Sequence, residues 1–142
     1  MAAIDITEKL PPADTIIAMT VLGDGAGAGA ALTAGAKSYR CWLTTKPCYV
    51  VKVELLTGTG TAAGTAQAGY STSFTAALTT SGFGDSAVNL AASAAIDLPI
   101  AQVTGDTKPL LLAPNTWVGF ATNASAVSTN TILGVRITYR LA

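Results

Sequence analysis

The side chains that usually carry acid–base or metal chemistry are scarce in this chain. It contains no histidine, and its eight carboxylates are two glutamates and six aspartates. Without an imidazole, the commonest general base and a frequent metal ligand are missing. Asp97 and Asp106 are acids that could meet in space, but aspartates at turns usually bond their own backbone. No nucleophile, base and orienting group can be named together, so we predict a protein that is not an enzyme, with no cofactor and no metal site.

A glycine run follows the first predicted strand. Gly25-Ala26-Gly27-Ala28-Gly29-Ala30 matches the G-x-G-x-x-G/A pattern of dinucleotide-binding folds. That pattern requires a helix immediately afterwards, but only residues 30–36 are available and Gly35 interrupts them. The acidic residue that would bind the ribose is also misplaced, because Glu54 lies inside an alternating strand. We therefore interpret the run as a flexible loop.

Two cysteines, Cys41 and Cys48, flank a predicted turn, and a disulfide across such a hairpin is geometrically conceivable. Alternation in the two flanking strands places Cys41 toward the core and Cys48 toward the outside, because Tyr49 is predicted to face inward. The first ten residues carry acids where a secretory signal needs an apolar run. We therefore predict two reduced thiols. A metal site built on two cysteines would lack its other ligands.

Apolar residues at every second position indicate β-strands along most of the chain. The closing strand is the clearest, since five apolar residues from Leu133 to Leu141 alternate with Gly, Thr and Arg. Residues 57–69 are predicted as a small-residue loop, and 85–96 as strand and irregular structure, with a short helix as the alternative. Further strands are predicted at Thr15–Leu22, Ser38–Thr44, Tyr49–Leu56, 71–79, 96–100, Leu110–Leu112 and Trp117–Thr122.

Seven or eight short strands between Gly, Pro and Asn turns favour an all-β fold, an antiparallel β-sandwich with jelly roll as the preferred topology. Residues 1–12 are predicted as an N-terminal extended arm, and residues 13–142 as the sandwich domain. In the arm, Ile4 and Ile6 alternate with polar neighbours before Pro11-Pro12 ends the segment. A segment this short must add to a sheet edge or to a partner, so Ile4 and Ile6 are candidate interface residues.

The surface is predicted to be poor in charge. Only 11% of residues are charged, 50% are apolar, and the formal net charge is zero. A neutral chain has no electrostatic footprint for nucleic acid or an acidic membrane, and its uncharged stretches contain too many polar and turn residues to span a bilayer. We expect copies of the chain to cover part of this surface. Trp42, Trp117 and Phe120 are further interface candidates, because alternation turns Trp42 outward together with either Trp117 or Phe120.

One resemblance follows from the C-terminal third and from the overall composition. The hairpin 110–120 (LLLAPNTWVGF) and the closing segment 134–139 (GVRITY), in a small chain rich in Ala, Gly and Thr, resemble the jelly-roll decoration, or cement, proteins of tailed bacteriophage capsids. The resemblance implies a homotrimer that binds the major capsid protein and reinforces the head, and therefore a location on the virion surface. It transfers no catalytic or contact residue.

The alternative is a sandwich module of a phage fibre or tail that binds a glycan or a receptor. A sugar site needs an exposed aromatic platform beside polar groups. Trp117 with Asn115, or Trp42 with Lys46, are the pairings that could form one.

Overall fold

The computed structural model describes residues 16–21, 30–61, 63–103 and 108–142. The predicted arm with Ile4 and Ile6, and residues 25–29 of the glycine run, lie outside the described residues. The described chain contains no helix, so the short helix considered for residues 85–96 is replaced by strand and irregular structure. Its strands are β1 (Ile16–Val21), β2 (Ala30–Ala31), β3 (Ser38–Leu43), β4 (Cys48–Thr57), β5 (Thr65–Ser71), β6 (Val88–Asn89), β7 (Ala95–Leu98), β8 (Leu111–Leu112), β9 (Trp117–Thr122) and β10 (Thr131–Leu141).

The strands form two antiparallel sheets, which confirms the predicted all-β sandwich. Sheet A has the order β1-β10-β4-β7, with the short strands β2 and β8 paired to β10 and β4. Sheet B has the order β3-β9-β5-β6. Strands of the first half of the chain pair with strands of the second half in reverse order: β1 with β10, β3 with β9, β4 with β7 and β5 with β6. The described strands thus form two layers, each built from both halves of the chain.

The core consists of the inward-facing side chains of both sheets. Val53 and Leu55 of β4 and Val135 of β10 are fully buried, as are Phe83 and Phe120. Burying one such side chain stabilises the fold by roughly 1.5–3 kcal/mol relative to leaving it exposed. Alternation within the long strands therefore supplies the packed interior that the sequence predicted.

The position of β5 differs from the prediction, which placed a loop at 57–69 and a strand at 71–79. The buried positions of β5 carry small side chains, with Ala66 and Ala68 fully buried, while Tyr70 is partly buried and packs on Phe83. Small residues are needed here because other segments lie directly against this strand. A Cβ added at Gly69 would be 2.9 Å from the Leu78 Cβ, and one added at Gly84 would be 2.3 Å from the Ala68 carbonyl oxygen.

Two irregularities in strand pairing, one in β4 and one in β3, reverse the predicted inward and outward positions of nearby side chains. Pairing of β4 with β10 shifts between Thr138 and Tyr139, and Val51 is the residue left without a partner. A bulge adds one residue to one strand and so moves the following side chains to the other face. Cys48 is consequently buried, at 1% exposure, while Val51 is exposed. The prediction that Cys48 points outward was wrong.

Both cysteines are thiols rather than halves of a disulfide. Cys41 lies at the irregularity of β3, between Arg40 and Trp42, and its Sγ donates to the Tyr39 carbonyl oxygen at 3.6 Å. Burial raises the pKa of the Cys41 thiol to about 12 and also raises the pKa of Cys48. Because the thiolate is the reactive form, both groups are weak nucleophiles at neutral pH.

Buried threonines join the turn after β3 to the turn before β9. The Thr44 hydroxyl donates to the Ala113 carbonyl oxygen at 2.8 Å and accepts from the Thr116 backbone N–H at 2.9 Å. The Thr116 hydroxyl donates to the same Ala113 oxygen at 2.8 Å. Between them Asn115 has a φ of 61°, a left-handed conformation that asparagine tolerates better than most residues. The predicted turn at 113–116 is therefore held by the side chain of Thr116, which belongs to it, and by the side chain of Thr44 from the turn after β3.

Other buried polar side chains hold the loop after β4 in the same way. The Asn130 side-chain oxygen accepts from the Ala63 N–H at 3.1 Å, and its amide donates to the Ala63 carbonyl. The Thr61 hydroxyl donates to the Thr131 carbonyl at 2.7 Å and accepts from the Thr131 N–H at 3.1 Å. These bonds satisfy loop backbone groups that would otherwise be buried without partners.

Replacing Thr44 by valine should destabilise the fold, because the substitution keeps the shape of the side chain but removes both hydrogen bonds of the hydroxyl. We expect the free energy of unfolding in urea to fall by about 1–3 kcal/mol. Thr45→Val is the matched control, because Thr45 is exposed and its change should stay within about 0.5 kcal/mol. Equal effects of the two substitutions would contradict the role assigned to Thr44.

Thiol titration tests the buried cysteines. In the native protein at pH 8, Cys41 and Cys48 should react with an aromatic disulfide reagent far more slowly than a free thiol, because both are desolvated. Under denaturing, non-reducing conditions two thiols per chain should be recovered. Recovery of none, with a mass lower by two hydrogens, would show that the two residues are bridged.

Candidate interaction surfaces

The outer side of sheet B presents a pair of aromatic rings. Alternation along β9 buries Val118 between the sheets and places Trp117 on the opposite face. The Phe74 ring packs edge-on against Trp117, with 5.5 Å between the ring centroids. Phe74 is itself 74% exposed, which is more than any other large apolar side chain among the described residues. We call Phe74, Trp117 and the 72–80 loop the Phe74 surface.

The 72–80 loop is anchored to sheet B rather than projecting away from it. Arg40 of β3 donates from Nε to the Ser73 carbonyl oxygen at 3.1 Å and from Nη2 to the Ala76 carbonyl. The Leu78 N–H donates to the Ser38 hydroxyl at 2.9 Å. A guanidinium offers several donors in a fixed plane, so one side chain can hold two loop carbonyls at once. Phe74 is therefore exposed on a segment whose flanks are fixed to the sandwich.

The indole N–H of Trp117 is a further feature of the Phe74 surface. It is buried and finds no acceptor within the part of the chain that the structure describes. A buried donor without a partner costs free energy that neighbouring packing must offset. The edge-on contact with Phe74 contributes to such packing.

The structure places the predicted interface aromatics differently. Phe120 is fully buried and stacks on Tyr39, with ring centroids 4.9 Å apart, so it is not a surface residue. Trp42 packs against Tyr139 of the opposite sheet at 4.3 Å between centroids. The irregularity after Arg40 turns Trp42 toward the sandwich interior, contrary to the predicted outward position. Trp117 alone of the three lies on the outer face. Sequence reasoning missed Phe74, which was assigned to a strand.

A second apolar surface lies on the outer side of sheet A, where β8, β4 and β10 run side by side. Tyr49 of β4 is paired with Leu111 of β8 on one side and with Arg140 of β10 on the other. Nearby Val51, Leu111 and Leu141 are 38%, 51% and 37% exposed. The shift places Val51 on this surface, whereas strict alternation would have buried it, and so enlarges the exposed apolar cluster.

Basic groups border this cluster. The Lys108 ammonium lies 6.0 Å from the centre of the Tyr49 ring, at the limit of a cation–π contact. Arg140 is exposed on the β10 side. Together they flank a shallow groove, which we call the β4–β10 patch; its lining residues are Tyr49, Val51, Lys108, Pro109, Arg140, Leu141 and Ala142.

One ionic cluster stands on the outer face of the same sheet. Arg136 of β10 binds Glu54 of β4 with two parallel hydrogen bonds of 2.9 and 2.8 Å, and the Lys52 ammonium lies 3.5 Å from the same carboxylate. Hydrogen bonds from Arg136 lower the pKa of the Glu54 carboxyl below its ordinary value, although partial burial opposes the shift. The pair lies directly across the β4–β10 register, so it reinforces that pairing.

Glu54→Gln should reduce the loss of stability in acid. Because the folded-state pKa of Glu54 is lowered, its ionised form stabilises the fold above its ordinary pKa of 4.5. That contribution disappears as the pH falls through the lower folded-state value. We expect the urea midpoint of the native sequence to fall between about pH 5 and pH 3, and that of Glu54→Gln to fall less. Asp85→Asn, at an exposed position, is the control. An unchanged pH profile in Glu54→Gln would contradict this assignment.

In the described ranges no group of three or more His, Cys, Asp or Glu is positioned to hold a metal ion. Those ranges likewise contain no helix of the length and apolarity needed to cross a membrane. No protein-family model, curated protein or solved structure gives a significant match to the chain.

Proposed function

We propose that this chain is a structural virion protein, a homotrimeric decoration protein that binds the major capsid protein on the outside of a phage head and stabilises the shell. The observation that carries the proposal is the exposure of Phe74 on an anchored loop. A large aromatic held in place at a protein surface is typical of the buried centre of a contact. The Phe74 surface is the part of the molecule that we assign to the capsid.

The strand pairing supports the jelly-roll topology that the family resemblance implies. A jelly roll is a double-stranded ribbon rolled into two sheets, and its strands pair from the two ends of the chain inward. The pairs β1–β10, β3–β9, β4–β7 and β5–β6 follow that nested order. Two further pairs, β10–β4 and β9–β5, connect these pairs into the two sheets.

The mechanism would be multivalent burial of apolar surface. The Phe74 surface is small, so a single copy would bind weakly. Three copies in one trimer convert three weak contacts into one tight attachment, since the second and third contacts form within an already bound particle. A trimer that spans neighbouring capsid subunits would thereby hold them together.

The second candidate is binding of a glycan, which the same aromatic pair favours. An open groove beside the 72–80 loop is lined by Ser38, Arg40 and Thr75, among other residues, and could offer hydrogen bonds to sugar hydroxyls. The pairing of Trp42 with Lys46 does not support a sugar platform, because Tyr139 covers the Trp42 ring. A glycan-array signal that is lost in Phe74→Ala and Trp117→Ala would favour this candidate over capsid binding.

Self-association is tested most simply by mass in solution. With 11% charged residues and zero net charge, the surface has little electrostatic repulsion to keep copies apart. Multi-angle light scattering at micromolar concentration should give a mass three times that of one chain. A monomer mass at that concentration would contradict the trimer.

Removing Phe74 should weaken attachment to capsids. We expect Phe74→Ser to lower the affinity for decoration-free phage heads by at least about tenfold in co-sedimentation, since truncating a central aromatic contact typically costs 2 kcal/mol or more. Val103→Ser is the matched control, because Val103 is also an exposed apolar side chain but lies outside the Phe74 surface. Raising the salt from 0.05 to about 0.5 M should change binding little, because no charge pair is proposed at the contact.

Equal binding by Phe74→Ser and Val103→Ser would show that the Phe74 surface is not part of the capsid contact. Failure of the native protein to sediment with any decoration-free head, combined with a glycan signal, would replace the proposal with the second candidate.

A further inference from the structure

The β4–β10 patch combines exposed apolar groups with positive charge. Val51 and Leu141 are more than a third exposed, and Lys108 and Arg140 border them. Among the residues that the structure describes, no acidic side chain lines the groove. Such a surface suits an extended segment that carries apolar side chains and carboxylates together.

The first 15 residues of this chain have that composition. Ile4, Ile6 and Leu10 are apolar, and three acids, Asp5, Glu8 and Asp14, outnumber the single base, Lys9. In an extended segment, the spacing of Ile4 and Ile6 would place both side chains on one side, because successive side chains alternate. The segment therefore offers both apolar contacts and negative charge to a basic, apolar groove.

The register of β1 shows the direction from which this segment enters the sheet. Ile16 pairs with Tyr139 and Val21 with Gly134, so β1 runs antiparallel to β10. The amino end of β1, at Ile16, consequently lies beside Tyr139, near the carboxyl end of β10. The next residues toward the amino terminus include Pro11-Pro12, which favour a stiff, extended chain rather than a return over the same sheet. Fifteen extended residues reach at most about 50 Å, enough to meet an adjacent molecule.

We propose that the β4–β10 patch is the docking surface for residues 1–15 of a second copy of this chain. Ile4 and Ile6 lie against Val51, Tyr49 and Leu141, and the acids of the segment lie near Lys108 and Arg140. Each copy gives its segment to one neighbour and receives one from another, a head-to-tail contact that can close into a ring of three. This inference rests on the self-association in the proposed function, and it names the surface responsible.

Disulfide trapping between full-length copies tests the docking. A tagged Ile6→Cys variant is mixed with an untagged Val51→Cys variant under mild oxidation, with the buried Cys41 and Cys48 kept in both. We expect a disulfide-linked pair that contains one chain of each kind. It should form at least about tenfold faster than with Ser86→Cys as the partner, because docking raises the local concentration of the two thiols. Ser86 is exposed and does not line the patch.

Two results would overturn the proposal. Trapping with Val51→Cys no faster than with Ser86→Cys would show that the segment does not reach the patch. A chain carrying both Ile6→Cys and Val51→Cys that closes only within itself, as a cross-linked monomer, would show that the segment occupies its own patch.

Charge exchange provides a second, independent readout. A chain with Asp5→Lys and Glu8→Lys, and a chain with Lys108→Glu and Arg140→Glu, should each dissociate at about tenfold higher concentration than the native chain at low salt, because like charges then meet. Combining all four changes in one chain should restore association. Lack of restoration, with the sandwich still folded by circular dichroism, would overturn the proposal.

The outcome is separable from the proposed function. Trapping between copies together with failure to bind phage heads would support the docking surface and contradict the capsid role. Binding to phage heads without trapping would support the capsid role and contradict the docking surface.

Discussion

The pairing of β4 with β10 is the constraint on which the rest of this sandwich depends. These are the two longest strands, and every other strand of sheet A attaches to one of them. Their register sets which side chains enter the core, with Val53 opposite Ile137 and Leu55 opposite Val135. A slip by one residue would turn these apolar groups to solvent. The Glu54–Arg136 ion pair spans the same register on the outer face, so both faces of the sheet favour one alignment.

Much of this fold could be predicted from the sequence, because the long strands alternate clearly. The strands near 38–44, 49–56, 117–122 and the closing strand lie within one or two residues of their predicted bounds. β5 could not be found by the same rule, since its buried residues are small ones, Ala66, Ala68, Gly69 and Ser71, which give almost no hydrophobic signal. The inward positions of Cys48 and Trp42 were also beyond prediction, because a bulge is decided by long-range pairing and leaves no mark in a single strand.

The candidate surfaces could be predicted only in part. Alternation placed Trp117 or Phe120 outside, and the structure selects Trp117, which packs under Phe74. The exposure of Phe74 was not predicted, because Phe74, Ala76 and Leu78 alternate with polar or small residues as in a strand. The segment is instead a loop held by Arg40. The β4–β10 patch could not be predicted for a related reason. Val51 is one of the alternating apolar residues of its strand, and it becomes exposed only through the pairing shift beside it. Both surfaces thus arise where local patterns and long-range pairing disagree.

A chain with few charges leaves apolar contact as its main means of recognition, and we assign that role to the Phe74 surface. Amide hydrogen exchange, compared between the free protein and the protein bound to decoration-free phage heads, tests this assignment most directly. Exchange in residues 72–80 should slow on binding, because the loop that carries Phe74 would be covered and its local opening suppressed. The turns joined by Thr44 and Thr116 should exchange at the same rate in both states. Unchanged exchange across 72–80 in a demonstrably bound protein would contradict the account.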